Sequence, residues 1–203
     1  MTLHIVGAGG FGRETLDAVR RSAAPQHDVI FVDEHPRAAR VDGCEVLEPG
    51  RVDREGNQHE FVVAIADPLA RRRLAELFTH RGLRPATVVD PRAVVSGGAR
   101  IGPGCVLLGQ AFVSTGTVLG AHVHVNYHAS IGHDTVLEDF VTILPGANIA
   151  GSVTVAAGST VGSNAAVLQG RRIGPAATVG AAALVTRDVS GGQLVVGVPA
   201  RPR

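Results

Sequence analysis

The stretch from Val89 to Val185 places an aliphatic residue at every sixth position: Val89, Val95, Ile101, Leu107, Val113, Leu119, Val125, Ile131, Leu137, Ile143, Ile149, Val155, Val161, Val167, Ile173, Val179 and Val185. Four residues after each comes a small or β-branched one, a second series that opens at Ala93, Ala99, Cys105 and Ala111. Arg171 alone breaks it before it resumes at Ala177, Ala183 and Val189. An α-helix repeats its apolar face every 3.6 residues and a half-buried strand every second residue, so neither produces this series. A hexapeptide β-helix does. Each hexad supplies one flat face, three hexads close one triangular coil, the aliphatic residue points inward, and the small residue fits near the corner. The expected architecture of residues 87–203 is therefore an all-β left-handed parallel β-helix with a short C-terminal tail, finishing its coils near Val189.

Residues 1–86 read differently, as a small Rossmann-like α/β domain. Leu3-His4-Ile5-Val6 is a buried strand that runs directly into Gly7-Ala8-Gly9-Gly10-Phe11-Gly12. Helical spacing follows from Arg13 to Arg21, with Leu16 and Val19 on one face. Strand, glycine-rich turn and helix is the setting in which such glycines let a ligand phosphate approach the backbone, under the free N–H groups of the helix N-terminus. Val29–Val32 is a second strand ending at Asp33-Glu34, where a carboxylate can meet a ribose or sugar hydroxyl. Phe61–Ile65 is a third, ending at Ala66-Asp67-Pro68. Asp67 and Pro68 then start a helix to about His80 with Leu69, Leu74, Leu77 and Phe78 as its apolar face. The polar stretch Pro49–Glu60 reads as surface loop. Val88-Val89-Asp90-Pro91 enters the β-helix without a flexible linker, which predicts a rigid joint.

Composition narrows the function. Aromatics make up 3% of the 203 residues and Trp is absent, as suits a thin prism of stacked coils that aliphatics fill and rings do not. A net charge of +1 argues for neither nucleic acid nor an acidic membrane as partner. Every basic residue is Arg, which removes Schiff-base and P-loop lysine chemistry. The two cysteines, Cys44 and Cys105, read as reduced thiols of a cytoplasmic protein, Cys105 as an interior filler. The chain opens on a strand and glycine turn, so no signal peptide is expected, and no apolar stretch approaches the roughly twenty residues of a membrane span. An α/β part of this size beside a β-helix offers no second domain for hydride chemistry. A nucleotide or nucleotide sugar fits it better than a nicotinamide cofactor, and a purely structural glycine turn is the remaining reading.

His80, His122, His124, His128 and His133 fall in or near one coil. His133 lies outward in Ile131-Gly132-His133-Asp134 with a carboxylate directly after it; steps of eighteen put Thr115 below it and Gly151 above it. An exposed imidazole beside a carboxylate can act as a general base, the carboxylate holding its tautomer and supporting the imidazolium. A solvated His–Asp surface pair is the alternative. No two of these histidines are eighteen apart, and a zinc site needs three converging ligands, so no metal is expected.

Three stretches carry a resemblance: Ile5-Val6-Gly7-Ala8-Gly9-Gly10-Phe11-Gly12-Arg13-Glu14, Gly132-His133-Asp134-Thr135-Val136-Leu137-Glu138-Asp139-Phe140-Val141 with Pro145-Gly146-Ala147 after it, and Gly197-Val198-Pro199-Ala200. With the hexads, they make nearly the whole chain resemble the bacterial hexapeptide-repeat sugar O-/N-acetyltransferases, the sialic-acid O-acetyltransferase and nucleotide-aminosugar N-acetyltransferase group. The resemblance implies acetyl-CoA as co-substrate, a homotrimer, and a free or nucleotide-linked sugar as acceptor. It implies His133 as general base, Asp134 as the residue that tunes it, and the Gly151 N–H as an oxyanion donor. It places acetyl-CoA between neighbouring β-helices along Thr142, Gly151, Ser163 and Ala181, and the sugar nucleotide against Gly9, Gly10, Phe11, Asp33, Glu34 and Ala66. The chain departs from the family where Thr142 and Phe11 replace frequent histidines and Ala66 a frequent glycine, which bears on the acceptor. The other classes to distinguish are a metal-dependent β-helix enzyme of carbonic-anhydrase type and a non-catalytic ligand-binding or assembly protein. Bound zinc would mark the first and failure to bind CoA the second.

Overall fold

A computed structural model describes residues 2–22, 28–52 and 59–203, so residues 53–58 of the expected polar loop lie outside the described residues. The front domain comprises β1 (Thr2–Val6), α1 (Gly10–Arg21), β2 (Asp28–Val32), β3 (Arg40–Val41), β4 (Cys44–Leu47), β5 (His59–Val63), α2 (Pro68–His80) and β6 (Arg84–Pro85). Its sheet runs β3-β4-β2-β1-β5-β6, parallel except for the β3–β4 hairpin. That hairpin turns at Asp42-Gly43, both with positive φ, the dipeptide a tight type I′ turn favours. α1 begins three residues earlier than helical spacing suggests, because Gly9 serves as its cap and accepts the Arg13 N–H at 3.0 Å. Asp67 caps α2 as expected, accepting from the Ala70 N–H at 2.7 Å. The apolar face of α2 differs. Leu69 is 75% exposed, and the buried stripe is Arg71, Leu74, Ala75 and Phe78.

The β-helix follows as two-residue strands whose second member points inward. Leu107, Val125, Ile143, Val161 and Val179 are direct partners in register, coil upon coil. Full burial of such a side chain stabilises by about 1.5–3 kcal/mol. The three faces are sheets of eight, six and five strands, parallel but for the last strand of the first. The first holds Val106, His124, Thr142, Thr160 and Thr178, the second Val94, Phe112, Ser130, Asn148, Ala166 and Leu184, and the third Arg100, Val118, Val136, Thr154 and Arg172. At most corners, the third residue past each inward aliphatic is left-handed. It is glycine at Gly116 and Gly146, but also Gln110, Asp134, Phe140 and Asn164. An L-residue there costs about 1 kcal/mol or more, a strain the stacked coils impose. The coils do not finish at Val189. Leu194–Val196 stacks parallel on Thr178–Val179, and Arg201–Pro202 closes the edge antiparallel.

The two parts share one core. Val88, Val106 and Leu108, from the outer side of the first face, lie in the same buried cluster as Leu3, Ile5, Leu16 and Phe31. Asp90 is fully buried at the joint and holds Arg21 at 2.8 Å and Arg92 at 3.0 Å. Both ion pairs pull its carboxyl down to about 2 against the opposing effect of burial.

Candidate active site

His133 and Asp134 stand on the corner that joins the second face to the third. Asp134 takes the left-handed corner position, φ 56°, and its N–H is anchored on the Thr115 carbonyl at 3.0 Å. Its carboxylate lies 2.8 Å from His133 Nδ1. A carboxylate accepts, so the neutral ring carries its proton on Nδ1 and leaves the Nε2 lone pair open. Glycines flank the pair along the prism axis. A Cβ at Gly116 would come within 2.4 Å of Asp134 Oδ1, and one at Gly151 within 2.4 Å of His133 Nε2. Each is eighteen residues from the side chain it accommodates, so the stacking requires glycine there. The Gly151 N–H donates to no acceptor among the described residues, while its neighbours Ala150 and Ser152 are bonded to adjoining coils. A corner with a basic nitrogen and a free N–H in adjoining coils can take a proton from a nucleophile and stabilise an oxyanion.

The other expected contacts sit elsewhere. Gly9 and Gly10 are exposed, with nothing within 4 Å of a Cβ built on either, whereas one on Gly12 would come within 1.9 Å of the Gly7 carbonyl oxygen. The loop thus divides between open glycines at its crest and glycines that let α1 pack against β1. Asp33 is committed to that loop, accepting from the Ala8 and His35 N–H groups at 3.0 and 2.9 Å. Glu34 pairs with Arg73 of α2, at 2.9 Å for the Nη1 contact, and that hydrogen bond holds its carboxyl below the usual range. Phe11 is half-buried, its ring 4.8 Å from that of His124.

Thr142 is a correction. It does not present an accessible hydroxyl to a donor groove; it is fully buried on the first face, under the α/β domain. Its Oγ1 donates to the Ala66 carbonyl at 2.9 Å and accepts from Arg71 Nη2 at 2.9 Å. Thr142 and Ala66, expected at different ligands, thus border one cleft of about 470 Å³ with Leu69 and Arg72. Ser163 and Ala181 occupy successive coils on the corner between the first and second faces, and His133 and Gly151 the next corner round. Within one chain, His133 with Asp134 and Gly151 forms one group, and the α/β contacts lie across the prism from it.

Arg71 is the residue the sequence did not single out. It is fully buried and donates to the carbonyls of Ile65, Ala66, His122 and Phe140 as well as to Thr142. Burial lowers its pKa to about 10. Its one sequence signal is position: it falls in line with Leu74, Ala75 and Phe78 on the buried stripe. His122 and His124 belong to the same boundary, and His128 stands on yet another corner, so these histidines do not converge with His133.

The PglD N-terminal domain family matches residues 2–78. A GDP-perosamine N-acetyltransferase from Escherichia coli O157:H7 is 33% identical over 152 residues, covering 72% of this chain and 69% of that protein. The acetyltransferase domain of PglB from Neisseria gonorrhoeae FA1090, solved in complex with acetyl coenzyme A, has a TM-score of 0.93 at 30% identity, over 100% of this chain and 98% of that one. A mutant perosamine N-acetyltransferase from Caulobacter crescentus, solved with CoA and GDP-perosamine, has a TM-score of 0.91 at 25% identity, over 100% and 97% of the two chains.

Proposed function

This chain belongs to the bacterial hexapeptide-repeat sugar acetyltransferases, and on that premise we propose that it moves the acetyl group of acetyl-CoA to the amino group of a nucleotide-linked sugar. His133 Nε2 takes the proton of the attacking amine, Asp134 holds the ring and supports the imidazolium, and the Gly151 N–H receives the oxyanion of the tetrahedral intermediate. Transfer is direct. The buried thiol of Cys105, raised to about 12 chiefly by burial, is no nucleophile. The observation that carries the reading is the His133–Asp134 contact of 2.8 Å on an exposed corner, with Nε2 against Gly151. The relatives that bind acetyl-CoA or GDP-perosamine support the donor and the acceptor class.

The working unit we propose is a cyclic homotrimer. The second face carries exposed Val94 and Phe112, at 57% and 46%, and is bordered by the His133 corner on one side and the Ser163–Ala181 corner on the other. A second copy packed on it sets one corner against the other and forms a groove for the donor. The acceptor then lies in the cleft of about 220 Å³ between α1, at Glu14 and Asp17, and the Tyr127–His128 corner. That corner belongs to the same coil as His133, hence to the same height on a parallel neighbour. Mass spectrometry after incubation with acetyl-CoA and a panel of sugar nucleotides tests the reading. Amino sugars gain one acetyl group; acetylation of hydroxyl-only sugars alone would overturn the amine assignment.

A further inference from the structure

In the reading above the α/β domain holds the acceptor, whereas the base and the oxyanion donor stand on prism corners. How one part sits on the other therefore enters the rate directly, since a misplacement of about 1 Å can cost a hundredfold. Most of what joins the two parts fixes that placement poorly. The cluster that Val88, Val106 and Leu108 share with Leu3, Ile5 and Phe31 is apolar, and apolar attraction has no direction. Arg21 holds the last turn of α1 on Asp90, but a single point of attachment leaves rotation about it free.

Arg71 supplies the missing direction. On its own side its Nη1 donates to the Ile65 carbonyl at 2.8 Å and the Ala66 carbonyl at 3.1 Å. On the prism its Nε donates to the His122 carbonyl at 3.0 Å, and its Nη2 to the Phe140 carbonyl at 2.6 Å and to Thr142 Oγ1 at 2.9 Å. His122 and Phe140 occupy one corner on successive coils, so a single planar fork registers the domain both along the prism axis and around it. Thr142 Oγ1 then returns to the Ala66 carbonyl at 2.9 Å, which closes a ring of contacts between the β5–α2 loop and the first face. The charge has no carboxylate partner among the described residues, and with a pKa of about 10 it is carried at neutral pH. Burying a cation is costly, and apolar replacements of buried charges are often as stable. What the fork adds is one defined geometry.

Resting on the acetyltransferase reading, we propose that Arg71 is a positioning residue: it locks the acceptor-bearing α/β domain on the prism in the one orientation that brings the amine to the base of a neighbouring copy. Arg71 itself touches no reacting atom. Thr142 extends its hold to the Ala66 loop from within the buried seam.

Single-turnover acetyl transfer at saturating acetyl-CoA and amino-sugar nucleotide, with calorimetric titration of acetyl-CoA, tests this in the full chain. Arg71→Lys keeps the charge without the fork, and Arg71→Met has neither. Both slow transfer about ten- to a hundredfold. Thr142→Val, which leaves Arg71 and Ala66 bonded to each other, slows it about three- to tenfold, the scale of one hydrogen bond. Acceptor KM and acetyl-CoA affinity do not change. A residue with a purely structural role would lower the melting temperature and leave the saturated rate of the folded protein as it was. That result for Thr142→Val, and for each Arg71 variant that folds, would overturn the proposal, as would a loss of acetyl-CoA affinity in step with the rate. Should neither Arg71 variant fold, Thr142→Val decides. An unaltered chain that transfers no acetyl group would overturn the transferase reading and the proposal with it.

Discussion

Arg71 Nη1 lies 3.2 Å from His124 Nδ1, in the buried seam between the α/β domain and the prism. His124 Nε2 is 2.9 Å from the Val63 carbonyl, an acceptor, so that nitrogen carries the ring's proton and Nδ1 accepts from Arg71. A second proton has no place. Burial, reinforced by the Arg71 charge, holds His124 well below its ordinary pKa and brings the neighbouring His122 down to about 4.

Stability should therefore depend on pH with a defined sign. Both histidines have folded pKa values below the unfolded value of 6.5, so the unfolded chain binds protons that the folded chain refuses. Stability is full above pH 6.5 and falls as the pH drops toward 4. His122→Phe keeps the stack on Phe140, whose ring lies 5.0 Å away, and removes one such proton. Denaturant titrations should show the variant gaining about 3 kcal/mol on the parent between pH 7 and pH 4. Parallel curves would contradict the assignment.

The glycine-rich loop should separate into structural and ligand-facing positions. Gly12→Ala drives a methyl into the Gly7 carbonyl and should destabilise by a few kcal/mol, read as a fall in melting temperature. Gly10→Val meets open space and should leave melting intact. It should raise acceptor KM while acetyl-CoA affinity holds. Equal damage to both ligands would mean that Gly10 shapes the fold instead.

Gly151→Ala tests the stacking at the active corner. Its methyl would sit 2.4 Å from His133 Nε2, so the ring, on an exposed corner, swings away rather than unfolding the coil. The expected result is an unchanged melting temperature with kcat down about tenfold or more, since small misplacements of a catalytic group are costly. Normal kcat would show that the observed ring position is not the working one.

Phe112→Arg puts a charge in the middle of the second face. If that face packs between copies, light scattering should find a monomer, folded by circular dichroism, and without transferase activity. An active, fully assembled variant would place the contact elsewhere.

Much of this was legible because a β-helix writes its register directly into the sequence: Leu107, Val125, Ile143 and Val161 meet in space because they are eighteen apart. The same arithmetic predicts that Gly151 lies over His133. It fails where a contact depends on how two parts dock. Thr142 reads as an outward polar residue on a prism face, and nothing local reveals that the α/β domain covers that face. Arg71 reads as one charge among three consecutive arginines, Arg71, Arg72 and Arg73, and only α2's docking on the prism marks it as the buried one. The closing strand Leu194–Val196 escapes the count because it stacks sixteen residues after Thr178 rather than eighteen.

The central claim is that His133 is the base, and the most direct measurement is the steady-state kinetics of His133→Ala with acetyl-CoA and an amino-sugar nucleotide. A general base contributes about 10²–10⁴-fold to rate. The side chain is half exposed on a corner that Asp134 and Ser152 hold through the backbone. The account therefore predicts kcat lowered by that factor, with the fold and acetyl-CoA affinity unchanged. A His133→Ala enzyme that folds, binds acetyl-CoA and keeps a near-normal kcat would contradict it.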